Sequence, residues 1–262
     1  MTVDDSDVED SIDHVIERCI ATKSHKLNLS HRPLVIFPKN AAELTYLKTL
    51  LLNSCELSMP PSELADFFHL EELHLEDNNL SMLPEGLRNI INIRCLSISR
   101  NPLSYLTQDI ASLQNLARLF MDEIEMTYLP IQICKLQSLQ YFSACGNHIK
   151  SVPVEFGYLD KMKWLRLSSN KLSSLPETIV NLKSLLHLDL AGNNFTEIPE
   201  DLCELSELSS LIMPRNEICR INDNLSAFLC NLGKLDLREN DVSDLPVELM
   251  SSSCLLFGNT IL

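Results

Sequence analysis

The residue types that most often carry out catalysis are present in this chain, but none occurs at the spacing of a known catalytic motif. The chain has seven histidines and nine cysteines, and it contains no Gly-Lys-Ser/Thr phosphate loop, no H-E-x-x-H metal motif and no G-x-S-x-G nucleophile elbow. His69 and His74 are the nearest histidine pair, and they are not spaced as two ligands of one metal. Carboxylates such as Glu76 and Asp122 could pair for acid–base chemistry, but on a solvated face such residues more often keep a protein soluble. We therefore predict a non-enzyme with no metal and no cofactor.

A second set of residues suits binding instead of catalysis. Arg118, Tyr141 and Trp164 follow one another at intervals of 23 residues, and Phe120 and Arg166 each lie two residues after a member of that series. Trp164 is the only tryptophan of the chain. Aromatic and arginine side chains dominate the energetics of protein interfaces, because they bury a large area and combine an apolar body with hydrogen-bonding groups. For these five residues to act together, the fold must bring residues that are 23 apart side by side.

That interval is the period of almost the whole sequence. The template is L-x-x-L-x-L-x-x-N-x-L-x-x-L-P-x-x-I/L-x-x-L-x-x, and a clear copy starts at Met162. We number the copies as repeats 1 to 10, which start at Ser24, Leu47, Leu70, Ile93, Leu116, Leu139, Met162, Leu185, Leu208 and Leu232. The last step is one residue longer than the others. Period and pattern are the signature of leucine-rich repeats, which stack into one elongated solenoid.

Each repeat should begin with a short strand. The alternation of leucines places positions 3, 5, 7 and 8 of the template on the outward face, and strands of successive repeats should pair in parallel at about 4.8 Å, so that equivalent residues form columns. Column 3 then contains Lys26, Thr49, Glu72, Cys95, Arg118, Tyr141, Trp164, His187, Ser210 and Lys234. Column 5 contains Asn28, Leu51, His74, Ser97, Phe120, Ser143, Arg166, Asp189, Ile212 and Asp236. The expected fold is α/β: a right-handed leucine-rich-repeat solenoid, or horseshoe, with a parallel concave sheet.

The columns gather the aromatic and arginine residues into one zone of the concave face. We hypothesise that Arg118, Phe120, Tyr141, Trp164 and Arg166 form the centre of a partner-binding site. The alternative is that the aromatic rings stack only to stabilise the sheet. An acidic flank beside them, which would suit a partner of mixed charge, contains Glu72, Glu76, Asp77, Asp122 and Glu123, with Arg94 and Arg100 interposed. A solvated charged face without a partner explains that flank equally well.

Other template positions serve the scaffold. Asn at position 9 can donate and accept, so a buried ladder of asparagines can satisfy the turns between repeats, while Pro at position 15 stiffens the opposite turn. Cys55 and Ile124 replace the Asn, and Thr107 and Asn222 replace the Pro. Arg32 marks repeat 1 as degenerate. We expect altered curvature in repeats 4, 5 and 9.

The two ends of the chain differ from the repeats. An acidic helix is predicted over residues 6–20, with Ser6 and Glu9 as a capping box. We interpret residues 1–23 as an N-terminal cap on a repeat domain over residues 24–262, with a partner-docking helix as the alternative. The last residues form half a repeat with no polar closing element, so we expect either a truncated product or an apolar end that something else covers.

Composition limits the partners and the compartment. A net charge of −15 and a pI near 4.8 disfavour nucleic acids and anionic membranes. The acidic start does not resemble a secretory signal, and no run approaches the roughly 18 apolar residues of a membrane-spanning helix. The cysteines are scattered singly, as is usual for reduced thiols. We predict a cytoplasmic protein.

The second half of the template, L-P-x-x-I/L-x-x-L in a 23-residue unit, resembles the Ras group of intracellular leucine-rich-repeat proteins, which includes scribble, erbin and the Ras suppressor. The resemblance covers about residues 24–262. It implies a non-enzymatic adaptor or scaffold that binds a small GTPase, a phosphatase or a polarity component on its concave face. Two other functions stay open: the substrate receptor of a ubiquitin ligase, and a structural module that self-associates through its C-terminal repeat.

Overall fold

A computed structural model describes residues 11–34, 37–83, 86–251 and 258–259 of the chain, with only the backbone of residues 250 and 251. Within these ranges there are two α-helices, α1 (Ile12–Thr22) and α2 (Ser226–Asn231). Ten strands follow α1 in order: β1 (Lys26–Asn28), β2 (Thr49–Leu51), β3 (Glu72–His74), β4 (Cys95–Ser97), β5 (Arg118–Phe120), β6 (Tyr141–Ser143), β7 (Trp164–Arg166), β8 (His187–Asp189), β9 (Ser210–Ile212) and β10 (Lys234–Asp236).

The strands form one open parallel sheet in chain order. The register pairs residues 23 apart, as in Tyr141 with Trp164, and it becomes 24 only between β9 and β10. The predicted columns 3 and 5 are therefore confirmed along the whole sheet. The middle residue of every strand is buried, which leaves the two outer residues of each strand to form the concave face.

Short 3-10 helices form the opposite side of the solenoid. They span Lys39–Glu43, Ser62–Asp66, Leu87–Asn89, Gln108–Ser112, Ile131–Lys135, Val154–Tyr158, Glu177–Asn181, Glu200–Glu204, Asp223–Leu225 and Val247–Ser251. Most of them begin directly after the template proline, whose fixed φ suits the extended residue before the turn. In repeat 9 the 3-10 turn continues into α2, so the longer repeat places additional helix on this side.

A ladder of buried asparagines joins the repeats. Nδ2 of Asn170 donates to the carbonyl oxygens of Ala144, Leu167 and Ser168 at 2.9, 3.0 and 3.2 Å, and its Oδ1 accepts from the amide of Ile149 at 3.0 Å. The same arrangement recurs at Asn78, Asn101, Asn147, Asn193, Asn216 and Asn240. Asn259 extends it beyond the predicted set, with Nδ2 donating to the carbonyl of Leu237 at 2.8 Å.

The ladder is interrupted at Ile124. In other repeats the amide two residues after the Asn donates to the next Asn, but the amide of Leu103 donates to the carbonyl of Asn101 instead, at 2.8 Å. The following residue, Ser104, adopts a φ of 43° and donates to the carbonyl of Ile124 at 3.1 Å. The loss of one amide side chain therefore changes the turn of the preceding repeat. The expected change in curvature stays a prediction.

The helix α1, Ile12–Thr22, covers the later part of the helix predicted over residues 6–20. Ser11 is its N-cap, since the Ser11 hydroxyl accepts from the amide of His14 at 3.3 Å, and the helix ends where Lys23 adopts a left-handed conformation. The Ser6–Glu9 capping box lies outside the described residues. Val15, Ile16 and Cys19 are buried on the face that meets β1 and the first 3-10 helix.

Candidate functional site

Three rings stack along column 3 of the sheet. The ring centroids of Tyr141 and Trp164 are 6.2 Å apart, with 21° between their planes, and those of Trp164 and His187 are 4.6 Å apart, with 30°. Parallel pairing makes these residues direct neighbours. Trp164 nevertheless remains 41% exposed. The neighbouring rings therefore hold the indole in place without covering it.

His187 contributes to this surface as a neutral ring. Desolvation by its surroundings lowers the pKa of the imidazole below the ordinary value of 6.5, in spite of the opposing effect of Asp189. A neutral imidazole can pack against Trp164 as largely apolar surface at neutral pH.

The stack forms one wall of an open groove of about 470 Å³. We call this the aromatic groove, and its lining includes Phe120, Tyr141, Trp164, Arg166, His187, Asp189, Ile212 and Lys234. The structure thus brings together four of the five residues that the sequence placed at the centre of a site. It adds His187, Asp189, Ile212 and Lys234, which sequence reasoning had assigned to columns 3 and 5 but not to the site.

The charges of the aromatic groove are unequal. Nε of Arg166 lies 3.6 Å from Oδ2 of Asp189, while Oδ1 of Asp189 accepts from the amide of Ala191 at 3.1 Å. Asp189 is buried and Arg166 is exposed. Lys234 is the first residue of β10 and lines the groove. It forms no ion pair within the described part of the chain. The groove is therefore locally basic on a chain of net charge −15.

The fifth residue, Arg118, belongs to a different surface. Its Nη2 lies 2.7 Å from Oε1 of Glu72, two strands away in the same column. We call this second surface the charged patch; it comprises Lys48, Glu71, Glu72, Asp77, Arg94, Arg100 and Arg118.

The carboxylates of the charged patch are already paired. Asp77 accepts two hydrogen bonds from the Arg100 guanidinium, at 2.5 and 2.7 Å, and these hold the pKa of Asp77 below its usual value. Glu71 lies 2.9 Å from Nζ of Lys48, which lowers its pKa for the same reason. Glu72, Asp77, Arg100 and Arg118, which the sequence placed beside the site, thus neutralise one another between repeats.

Glu76 and His74 form a half-buried pair beside this patch, with Nδ1 of His74 3.2 Å from Oε1 of Glu76. Interactions with Cys95 and then with Glu76 raise the pKa of His74 to about 10. Desolvation raises the pKa of Glu76, but hydrogen bonds with His74 and Ser97 outweigh it and leave that pKa below its usual value. Cys95 is only 2% exposed, so the thiol has little access to a substrate.

Asp122 is tied to the sheet itself. Its Oδ1 accepts from the Ser143 hydroxyl at 2.5 Å and from the Cys145 amide at 2.7 Å. Both bonds fix the next repeat, so this carboxylate has a scaffold contact in addition to any role in binding.

Comparison with known proteins identifies the repeats. Residues 137–195 and 160–218 match one family model described as leucine-rich repeat, and residues 69–90 match a second model of the same description. Residues 69–90 and 137–218 are therefore similar to leucine-rich repeats. No curated protein sequence matches the chain significantly.

Solved leucine-rich-repeat structures share the fold. A protein of this type from Leptospira interrogans is 25% identical, with a TM-score of 0.74 over 95% of this chain and 76% of its own. A TDR receptor is 26% identical, with a TM-score of 0.71 over 89% of this chain and 47% of its own. The plant peptide hormone receptor RGFR1, solved in complex with RGF2, is 26% identical, with a TM-score of 0.67 over 86% of this chain and 42% of its own. The chain therefore spans less than half the length of either receptor.

Leucine-rich repeats typically serve as non-enzymatic modules for protein–protein interaction. The surfaces described above agree with that use, because they offer an open groove and paired charges on a rigid sheet. In the described residues, no helix is long and apolar enough to cross a bilayer.

Proposed function

We propose that this leucine-rich-repeat chain binds a segment of a partner protein in its aromatic groove. The exposure of Trp164 carries the proposal, because the ring is held by its neighbours on both sides yet keeps its outer face open to solvent. Burying apolar surface contributes roughly 25 cal/mol per Å², and preorganised rings lose little entropy on binding.

The partner segment should combine an apolar or aromatic side chain with a negative charge. Such a side chain would pack on Trp164, and the charge would lie near Arg166 and Lys234. RGFR1, a receptor of similar fold, was solved with RGF2 bound, which supports ligand binding by this architecture.

A finer role follows from the resemblance to the Ras group. We propose a cytoplasmic adaptor that holds a small GTPase, a phosphatase or a polarity component, with the charged patch fixing the orientation of the partner. Charge complementarity of this kind changes the association rate and the register more than the affinity.

The first test is a paired affinity capture from cell extract, with the wild-type chain and the Phe120→Ala/Trp164→Ala variant, read by mass spectrometry. We expect a small set of proteins to be lost from the variant only. Each of these is then purified, and its affinity for both chains is measured by calorimetry.

The matched control is Glu72→Gln/Arg118→Gln, which removes an ion pair of the same concave face without changing net charge. Circular dichroism and thermal unfolding are used to check that both variants are folded. Identical protein sets from the wild-type chain and the aromatic variant would show that the groove is not the binding site.

A further inference from the structure

A band of exposed apolar side chains runs along the edge of the solenoid, away from the concave face. Position 13 of the template carries Met59, Met82, Tyr105 and Tyr128 in repeats 2 to 5. Met59, Tyr105 and Tyr128 are 60%, 48% and 57% exposed, and Met82 is half-buried. The strands of repeats 2 to 5 pair in a register of 23 residues, which is also the interval between these four residues. The four therefore occupy equivalent positions of consecutive stacked repeats.

The band continues onto the 3-10 helices of repeats 5 and 6. Ile131 and Val154, both at position 16, are exposed in repeats 5 and 6, and Tyr158 is exposed in repeat 6. We call the full set the apolar band: Met59, Met82, Tyr105, Tyr128, Ile131, Val154 and Tyr158.

The fold does not require apolar residues at these positions. Position 13 is Ser151, Ser174, Glu197 and Arg220 in repeats 6 to 9, and position 16 is Glu177 and Glu200 in repeats 7 and 8. Those repeats form the same strands and 3-10 helices. The apolar residues of repeats 2 to 6 therefore serve something other than stacking, and a contiguous exposed apolar surface marks an interaction site.

Acidic residues precede and follow the band within the same repeats. Glu56 and Glu125 occupy position 10, and Glu63, Asp109 and Glu155 occupy position 17. None of the five forms an ion pair within the described ranges. Lys135, Lys150 and Lys161 are the basic residues that lie nearest in sequence to the C-terminal part of the band. The rim of the band is thus predominantly negative, in contrast to the locally basic aromatic groove.

We propose that the apolar band is a second docking surface, which binds a cationic amphipathic segment of a partner protein. The apolar face of the segment packs on Tyr105 and Tyr128, and its basic residues meet the unpaired carboxylates of the rim. A second copy of this chain is a poor occupant, because it would bring the same acidic rim and a further net charge of −15. The proposal is independent of the aromatic groove.

The test uses a labelled synthetic peptide of leucine and lysine, roughly 14 residues or four helical turns long, together with a matched peptide in which glutamate replaces lysine. Binding is followed by fluorescence anisotropy on the full chain. We expect the lysine peptide alone to bind, and Tyr105→Ser/Tyr128→Ser to weaken it at least ~10-fold, since buried aromatic anchors dominate such interfaces. Serine is chosen because the chain itself carries it at position 13.

Two charge variants that change the net charge equally distinguish the effect of the carboxylates at the rim from the effect of the net negative charge of the whole chain. Glu56→Gln/Glu125→Gln should weaken binding and reduce its salt dependence, while Glu197→Gln/Glu200→Gln in repeat 8 should leave the affinity within about 2-fold. The proposal is overturned if the tyrosine variant binds like the wild-type chain, or if both charge variants lose affinity equally. It is also overturned if light scattering shows a wild-type dimer that the tyrosine variant dissociates, since the occupant would then be a second copy.

Discussion

The two halves of the concave face carry different kinds of side chain at the same template positions, and they form different surfaces. Around β3 to β5, charged residues pair between repeats, as Arg118 does with Glu72. Around β6 to β9, Tyr141, Trp164 and His187 stack beside a groove that stays open. A partner that binds the charged patch exchanges existing ion pairs for new ones and gains little, whereas burial of the exposed indole is a net gain. Residue type alone therefore does not identify a binding surface. A side chain that already has a partner within the sheet gains little from binding, whereas an exposed ring without such a cover gains more.

The scaffold beneath the two halves also differs, and this gives the largest predicted effect. The asparagine ladder is continuous through repeats 6 to 10, and it is interrupted at Ile124 in repeat 5, the repeat that carries Arg118. Asn170→Ala removes the bonds of a buried amide and leaves backbone groups of two repeats unpaired, so it should cost about 3 kcal/mol of unfolding free energy. Chemical denaturation measures the change in unfolding free energy.

The control is Asn194→Ala, which removes only an exposed contact with Glu217 and should change the unfolding free energy by less than about 0.5 kcal/mol. Equal losses from the two variants would contradict a structural role for the ladder.

The aromatic groove should dominate partner affinity. Phe120→Ala/Trp164→Ala should reduce binding by about 2 kcal/mol or more, because the variant removes a preorganised apolar wall. Titration calorimetry with the captured partner measures the change. Glu72→Gln/Arg118→Gln should cost less than about 1 kcal/mol, and a reversal of this order would place the main binding site in the charged patch.

The two halves should respond oppositely to pH through their histidines. The pKa of His74 is raised to about 10, so the stability that it contributes is fully present below pH 6.5 and is lost as pH rises through 10. We expect about 2 kcal/mol from this shift at about 1.4 kcal/mol per pH unit, because the partial exposure of the ring reduces the full value. The pKa of His187 is lowered, so its contribution is present above pH 6.5 and is lost as pH falls below it.

Thermal unfolding of His74→Gln and His187→Gln against the wild-type chain, from pH 5 to pH 9, isolates the two contributions. The wild-type advantage over His74→Gln should shrink towards pH 9, and its advantage over His187→Gln should shrink towards pH 5. Parallel profiles would show that the two rings have similar surroundings.

The smallest effect concerns a single surface ion pair. Arg215→Gln breaks the exposed pair with Glu239, whose Oε2 lies 2.8 Å from Nε of Arg215. Both side chains are more than half exposed, so we expect a change in unfolding free energy near zero and no effect on partner affinity. A measurable loss of affinity would extend the binding site beyond the aromatic groove.

Most of the scaffold could be predicted from the period, because each repeat must stack on its neighbour in one register. Trp164, Tyr141 and Phe120 were placed together on that basis alone. His187 and Lys234 were missed as site residues, since their types gave no signal without the shape of the groove. Arg118 and Asp122 were assigned to binding, and the structure gives each of them a partner within the sheet.

The sequence by itself determined the ten-strand parallel sheet, its register and the columns of the concave face, because a repeat of fixed length places equivalent residues at equal heights. It also determined the asparagine ladder and the position at which the ladder is interrupted. Only the tertiary structure decided which charges are paired, which rings remain open and where an apolar band lies on the outer edge. These properties depend on distances between side chains of different repeats, and a template of positions does not contain those distances.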